Sequence, residues 1–104
     1  MPKIAVHVKL KATPGNGAAL AKAFLSLYDG PLDAEPGTEL HVVHQSKDDP
    51  DMVVFYELYT DADAMAAHQG GEALRAVLPK LAGLVAGPPE TTLLDLYGAK
   101  GVSL

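Results

Sequence analysis

The chain has 104 residues, of which 48% are hydrophobic and 20% are charged. This composition is typical of a globular protein and excludes a fibrous or intrinsically disordered chain, and the length suits one domain covering residues 1–104. Thirteen acidic residues against eight basic ones give a net charge of −5, which argues against nucleic acid and membranes as partners, because both are bound chiefly through clustered Lys and Arg.

The absence of cysteine limits the available chemistry. It removes disulfides, thiolate catalysis and thiolate metal ligands, and it is compatible with a reducing compartment. The segment Met1–Leu10 contains lysines among short apolar residues, so it lacks the continuous apolar stretch of a signal peptide and is far shorter than a membrane span. We therefore expect a cytoplasmic protein.

The first predicted elements are a strand and a helix. Apolar residues alternate with more polar ones from Ile4 to Lys11, which predicts a half-buried strand. A segment rich in Gly and Pro ends this strand, and the apolar spacing from Ala18 onward becomes that of a helix, which we expect to stop near Gly30.

Two further strands are predicted to form a hairpin. Residues 39–45 alternate again, and Met52–Tyr59 is dense in Val, Phe, Tyr and Leu, as a central strand would be. The polar segment between them is typical of a turn. The pattern then changes, because Thr60 and Asp63 resemble a capping box that opens a second helical region at Asp61.

That second helical region is predicted to be broken into two or three short helices, because it contains Gly70, Gly71 and Pro79. Thr91–Tyr97 gives a last strand. The order βαββαβ predicts an α+β, ferredoxin-like fold with a four-stranded antiparallel sheet and its helices on one face. The other face would be bare, so we expect a homodimer in which a second copy covers it.

Four short motifs, in order, resemble the antibiotic biosynthesis monooxygenase (ABM) domain. They are Glu35-Pro36-Gly37, Ser46-Lys47-Asp48-Asp49-Pro50, Glu57-Leu58-Tyr59 and the spacing from Ala64 to His68. The resemblance covers about residues 4–97 and implies a dimeric α/β barrel, closest to small quinol monooxygenases. Within that family it implies a cofactor-independent monooxygenase that oxidises a small aromatic, phenolic or quinol substrate with O2.

No cofactor is expected from the resemblance. The haem-degrading branch of the family uses an Asn in its first strand, a Trp at the end of its third strand and a His ligand in the second helical region. In this chain the corresponding positions hold Val8, Tyr59 and approximately Leu78. Haem degradation is therefore not the predicted activity.

The predicted catalytic residues are Glu57, Tyr59 and His68. Glu57 shares a strand face with Phe55 and Tyr59, so it would lie in an apolar pocket, where a carboxylate needs a partner. His68, on the helix expected to pack above, is the predicted partner and a base suited to neutral pH. Val8, Phe55 and Met65 are predicted to shape the substrate pocket.

Other interpretations remain open at this stage. Glu57 and His68 could form a purely structural buried pair, the fold could support a cofactor-free isomerase, or the protein could be a non-catalytic dimer that binds small ligands. A metal site is not expected, because His41 and His44 point to opposite faces of a strand. His7 and His41 are predicted to lie on the sheet face away from the helices.

Overall fold

The computed structural model describes residues 3–102, which form a four-stranded antiparallel sheet with short helices packed against one face. The strands are β1 (Ile4–Lys11), β2 (Thr38–Gln45), β3 (Met52–Tyr59) and β4 (Glu90–Asp95). Their order in the sheet is β2-β3-β1-β4. The predicted ferredoxin-like α+β fold is confirmed, and the bounds of β1 and β3 agree with those predicted from the alternating pattern.

The helices are short, as the sequence predicts for the second helical region, and the first helix is shorter than predicted. They are α1 (Gly17–Ala23), α2 (Ala62–Gln69) and α3 (Glu72–Val77), with 3₁₀ helices at Leu25–Tyr28, Pro31–Ala34 and Leu78–Leu81. The first helix changes to 3₁₀ geometry after Phe24 instead of continuing to Gly30. Pro79 explains the end of α3, because proline lacks the backbone N–H that another α-helical turn would need.

The start of α2 differs from the predicted capping box by one residue. Asp61, not Thr60, is the N-cap, and its Oδ1 accepts a hydrogen bond from the backbone N–H of Ala64 at 2.8 Å. Thr60 instead donates its hydroxyl proton to Glu39 Oε2 at 2.6 Å. An extended residue with a short acidic side chain suits the N-cap position, and Asp61 has the extended backbone that this role requires.

The core lies between the helices and one face of the sheet. Its buried residues come from both layers: Leu10, Ala12, Leu20, Phe24, Leu27, Val53, Phe55, Ala73 and Val77. On the other face, β4 is exposed along its whole length, and Leu94 on that face is 43% exposed. No helix among residues 3–102 is long and apolar enough to cross a membrane.

Gly37 allows the turn before β2 to approach the first turn of α2. A Cβ atom at this position would lie only 2.4 Å from the Cβ of Ala64. In addition, the Gly37 carbonyl accepts a hydrogen bond from the Thr60 N–H at 2.9 Å, which ties the turn to the residue before the N-cap of α2. The glycine of the Glu-Pro-Gly motif is therefore required by close packing.

We predict that Gly37→Ala lowers the free energy of unfolding by about 1–3 kcal/mol, because the added methyl group must push α2 away from the turn. Gly87→Ala is the matched control, since a Cβ atom there would meet nothing within 4 Å. Urea denaturation of both variants checks the prediction. Equal stability of Gly37→Ala and the wild type would contradict it.

Candidate functional site

A cavity of about 340 Å³ lies between the sheet and the helices. Most of its walls are apolar: Val6, Val8, Leu10, Phe24, Leu27, Phe55, Leu74, Leu78, Leu81, Val85 and Pro89. Its polar wall residues are His41, Glu57, His68, Gln69 and Thr91. A mostly apolar cleft with a few converging polar groups is the usual form of a small-molecule site.

Three of the polar side chains are brought together by the tertiary structure. His41 on β2 and Glu57 on β3 are direct cross-strand partners, so their side chains lie on the same face of the sheet. His68 reaches them from the last turn of α2. One candidate ligand atom from each residue lies within 4.8 Å of the other two. The prediction that His41 faces away from the helices is therefore wrong.

His68 forms a short hydrogen bond with Glu35, not with Glu57. Its Nδ1 lies 2.7 Å from Glu35 Oε1, and the two side chains are only 4% and 10% exposed. Thr38 also donates its hydroxyl proton to Oε1, at 3.1 Å. Because a carboxylate can only accept, Nδ1 of His68 carries the proton and Nε2 is the nitrogen left to accept one.

The structure indicates that this second nitrogen reaches the cavity. Among residues 3–102, no fully buried side-chain nitrogen or oxygen lacks a hydrogen-bond partner. The hydrogen bond of His68 involves Nδ1, and the residue is part of the cavity wall. Nε2 of His68 is therefore in contact with the open space of the cavity, where it can receive a proton from a bound molecule.

Glu57 belongs to a separate series of polar contacts, of which the two outer ones are hydrogen bonds. The Tyr59 hydroxyl donates to Glu57 Oε1, and His41 Nε2 lies 3.5 Å from Oε2. On its other side, His41 Nδ1 lies 2.8 Å from the Tyr28 hydroxyl. The 3.5 Å contact is longer than an ordinary N–H···O hydrogen bond, so it is the weakest link of this series.

Burial determines where the protons of this series lie. It raises the pKa of Tyr28 to about 12 and, with the hydrogen bond to Glu57, raises the pKa of Tyr59. Burial and then the charge of His68 lower the pKa of His41 to about 4. At neutral pH Tyr28 therefore donates to Nδ1 of a neutral His41, whose remaining proton on Nε2 faces Glu57.

The pKa of the Glu57 carboxyl group is raised overall, because burial outweighs two opposing effects. Burial raises the pKa of its carboxyl group, whereas the hydrogen bond from Tyr59 and the charge of His68 lower it. Because His41 is neutral at pH 7, the contact between His41 and Glu57 is not an ion pair. The nearby cation that would favour the carboxylate form of Glu57 is a protonated His68.

Most of the residues predicted from sequence lie at this cavity. Val8, Phe55, Glu57 and His68 form part of its wall. Tyr59 packs beside the ring of His68, with ring centroids 5.7 Å apart, and its hydroxyl holds Glu57. Met65 is half-buried on α2 and is not among the residues that form the described cavity wall.

Three residues of the site were missed by the sequence analysis: Tyr28, Glu35 and His41. Glu35 was noticed only as part of a turn motif. A signal for His41 did exist, since counting back from the hairpin turn in antiparallel register places it opposite Glu57. Nothing in the local sequence around Tyr28 or Glu35 indicates their partners, which are 13 and 33 residues away.

We predict that the buried neutral state of His41 makes stability depend on pH. The pKa of about 4 in the folded state lies below the ordinary histidine value of 6.5, so this contribution is complete above pH 6.5 and is lost as the pH falls toward 4. In metal-free buffer, the stability of the wild type relative to His41→Gln should therefore fall by about 3 kcal/mol between pH 7 and pH 4.

Urea denaturation of both proteins at each pH measures this difference. Tyr28, Glu57 and His68 face His41 in the cavity and remain in both proteins, so the difference between the two proteins measures the charging of His41 together with its coupling to these neighbours. His44→Gln, on the opposite sheet face, measures the effect of losing an imidazole elsewhere on β2. A difference in the free energy of unfolding between the wild type and His41→Gln that does not change with pH would contradict the prediction.

Comparisons with known proteins agree with the fold and with the motifs. The family model for antibiotic biosynthesis monooxygenase matches residues 3–80. A protein of unknown function from Nitrosomonas europaea is 30% identical, with a TM-score of 0.80 over 99% of this chain and 97% of its own. A protein from Caulobacter crescentus CB15, provisionally named an antibiotic biosynthesis monooxygenase, is 29% identical, with a TM-score of 0.82 and coverages of 93% and 92%.

A second structure from Nitrosomonas europaea, which carries the same provisional name, has a TM-score of 0.82 at 22% identity and covers 95% of this chain and 94% of its own. At that identity the likeness concerns the fold alone. No curated protein matches the sequence. Because the family model spans most of the chain, including the Glu-Pro-Gly turn, β3 and α2, the protein belongs to the antibiotic biosynthesis monooxygenase family.

Proposed function

We propose that this protein is a cofactor-independent monooxygenase that oxidises a small aromatic, phenolic or quinol molecule with O2. One observation carries the proposal: a buried carboxylate, Glu35, fixes Nδ1 of His68, so that Nε2 is presented to an apolar cavity. Membership of the family supports the same class of reaction. The cavity volume of about 340 Å³ lies at the lower end of the range for small-molecule sites, about 300–1,000 Å³.

In the proposed first step, Nε2 of His68 removes the proton of a phenolic hydroxyl group. Imidazole is suited to this at neutral pH. The resulting imidazolium is stabilised on one side by Glu35, which accepts the Nδ1–H, and by the nearby carboxyl group of Glu57. His68 is therefore the proposed catalytic base, and Glu35 is the residue that positions it. Glu57 is proposed to balance the positive charge that His68 acquires.

The deprotonated aromatic ring then supplies the electrons that reduce O2. Oxygen adds to a ring carbon as a peroxide, which takes back the proton held by His68. Loss of the remaining hydrogen on that carbon breaks the O–O bond and leaves a carbonyl group, and the second oxygen atom leaves as water. For a quinol the sum is quinol plus O2 giving hydroxyquinone plus water, so no external reductant is needed.

The apolar wall has a defined part in this proposal. Val8 and Phe55 lie on the sheet side of the cavity, where they can contact an aromatic ring and keep water away from the anion. Phe55 is itself held by an edge-on contact with Phe24, with ring centroids 4.7 Å apart. Tyr59 acts through Glu57, whose carboxylate it holds by a hydrogen bond. We assign Met65 no contact with the substrate.

The test is oxygen consumption by chelator-treated protein with a panel of hydroquinones, naphthoquinols and anthrones. We expect uptake above the uncatalysed rate and a loss of at least 100-fold in His68→Gln, because general base catalysis contributes roughly 10²–10⁴-fold. Glu35→Gln should give an intermediate loss of about tenfold. His44→Gln, on the opposite sheet face, is the matched control and should keep full activity.

The result that contradicts the proposal is uptake no faster than the uncatalysed rate with every substrate. Conversion of substrate in the absence of O2 would indicate an isomerase instead. Ligand-dependent increases in melting temperature without turnover would indicate a protein that only binds small molecules. Urea denaturation of each variant shows whether a loss of activity follows from a loss of the fold.

We also propose that two copies pack through the sheet face opposite the helices. β4 is exposed along its length, and Leu94 projects on that face beside β1. Ala5 and Leu58 on this face are buried within the chain, whereas Leu94 is left exposed. Exposed apolar side chains on a sheet face favour association, and a second copy of the same face is self-complementary under twofold symmetry. The proposal follows the family resemblance to dimeric barrels.

Sedimentation equilibrium at micromolar concentration should therefore give about twice the chain mass of 10.9 kDa. Leu94→Glu should shift the mass toward that of one chain, because it would bury a charge in the interface. Leu25→Glu is the matched control, since Leu25 is also exposed, at 52%, but lies on the helical side. A single-chain mass for the wild type would contradict the proposal.

A further inference from the structure

We infer that the cavity also contains a binding site for one divalent transition-metal ion, formed by Nε2 of His41, Nε2 of His68 and the carboxylate of Glu57. The sequence analysis placed His41 on the opposite sheet face, but in the structure His41 lies on the same face as Glu57. Two imidazoles and one carboxylate converge at the cavity wall, with one candidate ligand atom of each within 4.8 Å of the others.

The distances are close to those of a metal site before an ion draws the ligands in. Nitrogen and oxygen ligands bind Zn²⁺ at about 2.0–2.1 Å, which places neighbouring ligand atoms of a tetrahedral site roughly 3.3–3.4 Å apart. His41 Nε2 and Glu57 Oε2 are already 3.5 Å apart. The remaining separations, which are at most 4.8 Å, can close through small side-chain rotations of His68 and Glu57.

The strongest support comes from the side chains that hydrogen-bond to the three ligands and hold them in place. Metal-binding histidines usually donate their other ring N–H to, or share it with, a fixed polar partner that sets the ring orientation. Here Nδ1 of His68 is bound to Glu35 at 2.7 Å, and Nδ1 of His41 to Tyr28 at 2.8 Å. Nε2 of His68 is thereby available to an ion, and at His41 an ion requires the ring proton to move from Nε2 to Nδ1, which then donates to the Tyr28 hydroxyl oxygen.

The carboxylate has the same kind of support. Tyr59 donates its hydroxyl proton to Oε1 of Glu57, which leaves Oε2, the oxygen nearer His41, for an ion. Each of the three ligands therefore has one atom held by an outer partner, and the three residues offer ligand atoms within 4.8 Å of one another. A structural salt bridge alone would not require this arrangement at both histidines.

The ligand set also indicates the class of metal. Imidazole nitrogen suits Zn²⁺, Fe²⁺, Co²⁺, Ni²⁺ and Cu²⁺, whereas Mg²⁺ and Ca²⁺ prefer sites made of oxygen ligands. Three protein ligands leave at least one coordination position open, as in metal sites that bind small molecules. That position would face the mostly apolar cavity.

A metal ion would use the same lone pair of His68 that removes the substrate proton. This consequence rests on the proposed function: if His68 is the catalytic base, it cannot bind a metal ion and remove the substrate proton at the same time. Occupied protein would then be unable to take the phenolic proton, and the metal would inhibit oxygen uptake. Metal binding itself does not depend on what the protein catalyses.

The test is titration of chelator-treated full-length protein with Co²⁺, followed by visible absorption, and with Zn²⁺, followed by calorimetry. We expect one ion per chain, displacement of Co²⁺ by Zn²⁺ and no displacement by a large excess of Mg²⁺. His41→Gln and Glu57→Gln should each weaken binding at least tenfold. Tyr28→Phe, which removes only the outer partner of His41, should weaken it about tenfold.

His44→Gln is the matched control, because it removes an imidazole from β2 on the other sheet face. It should leave binding unchanged. Circular dichroism and urea denaturation of each variant separate the loss of a ligand from the loss of the fold, and the near-isosteric Glu57→Gln provides a second variant if His41→Gln does not fold. No saturable binding, or binding that both Gln variants retain, overturns the inference.

Oxygen uptake measured with and without one equivalent of Zn²⁺ separates this inference from the proposed function. Saturable binding with loss of uptake supports both. Saturable binding with uptake that appears only in the metal-loaded protein supports the metal site and overturns cofactor independence. Uptake without any metal binding overturns the metal site and leaves the role of His68 as a base intact.

Discussion

The hydrogen bond between Glu35 and His68 joins the turn before β2 to the end of α2. Both side chains are almost fully buried, so either one without the other would leave a polar or charged group unpaired in the interior, which costs several kcal/mol. Two glycines make room for the pair. A Cβ atom at Gly37 would strike Ala64, and one at Gly71 would lie 2.9 Å from Glu35 Oε2. Close packing at these two glycines therefore brings the Glu-Pro-Gly turn and α2 near enough for the buried pair to form.

A second set of polar contacts, from Tyr28 through His41 and Glu57 to Tyr59, meets the first at the cavity. The rings of His41 and His68 lie 5.1 Å apart between centroids. The two sets differ in their electrical character, because burial keeps His41 neutral whereas His68 has a carboxylate directly bound to it. One wall of the otherwise apolar cavity thus carries a proton acceptor, His68, whose positive charge Glu35 can balance. Beside it lies a neutral N–H donor, His41.

The two proposals for this site use the same atoms in different states. As a base, His68 needs an unoccupied Nε2 and a dry, apolar neighbourhood for the phenolate. As a metal ligand, it needs His41 and Glu57 to move closer, while Glu35, Tyr28 and Tyr59 keep the ligands oriented. Membership of a family specifies the scaffold, and the chemistry depends on which side chains converge on it.

The sequence by itself determined the fold class, because alternating and helical patterns depend on neighbours a few residues apart. The predicted first and last residues of β1 and β3 agree with those in the structure. It also placed Val8, Phe55, Glu57 and His68 in the pocket. Only the tertiary structure decided that His68 binds Glu35, since two carboxylates were available and the packing of α2 selects between them. His41 was misplaced because β2 carries apolar side chains on both of its faces, so its alternating pattern does not show which face meets the helices, and only its pairing with β3 places His41 beside Glu57 on that side.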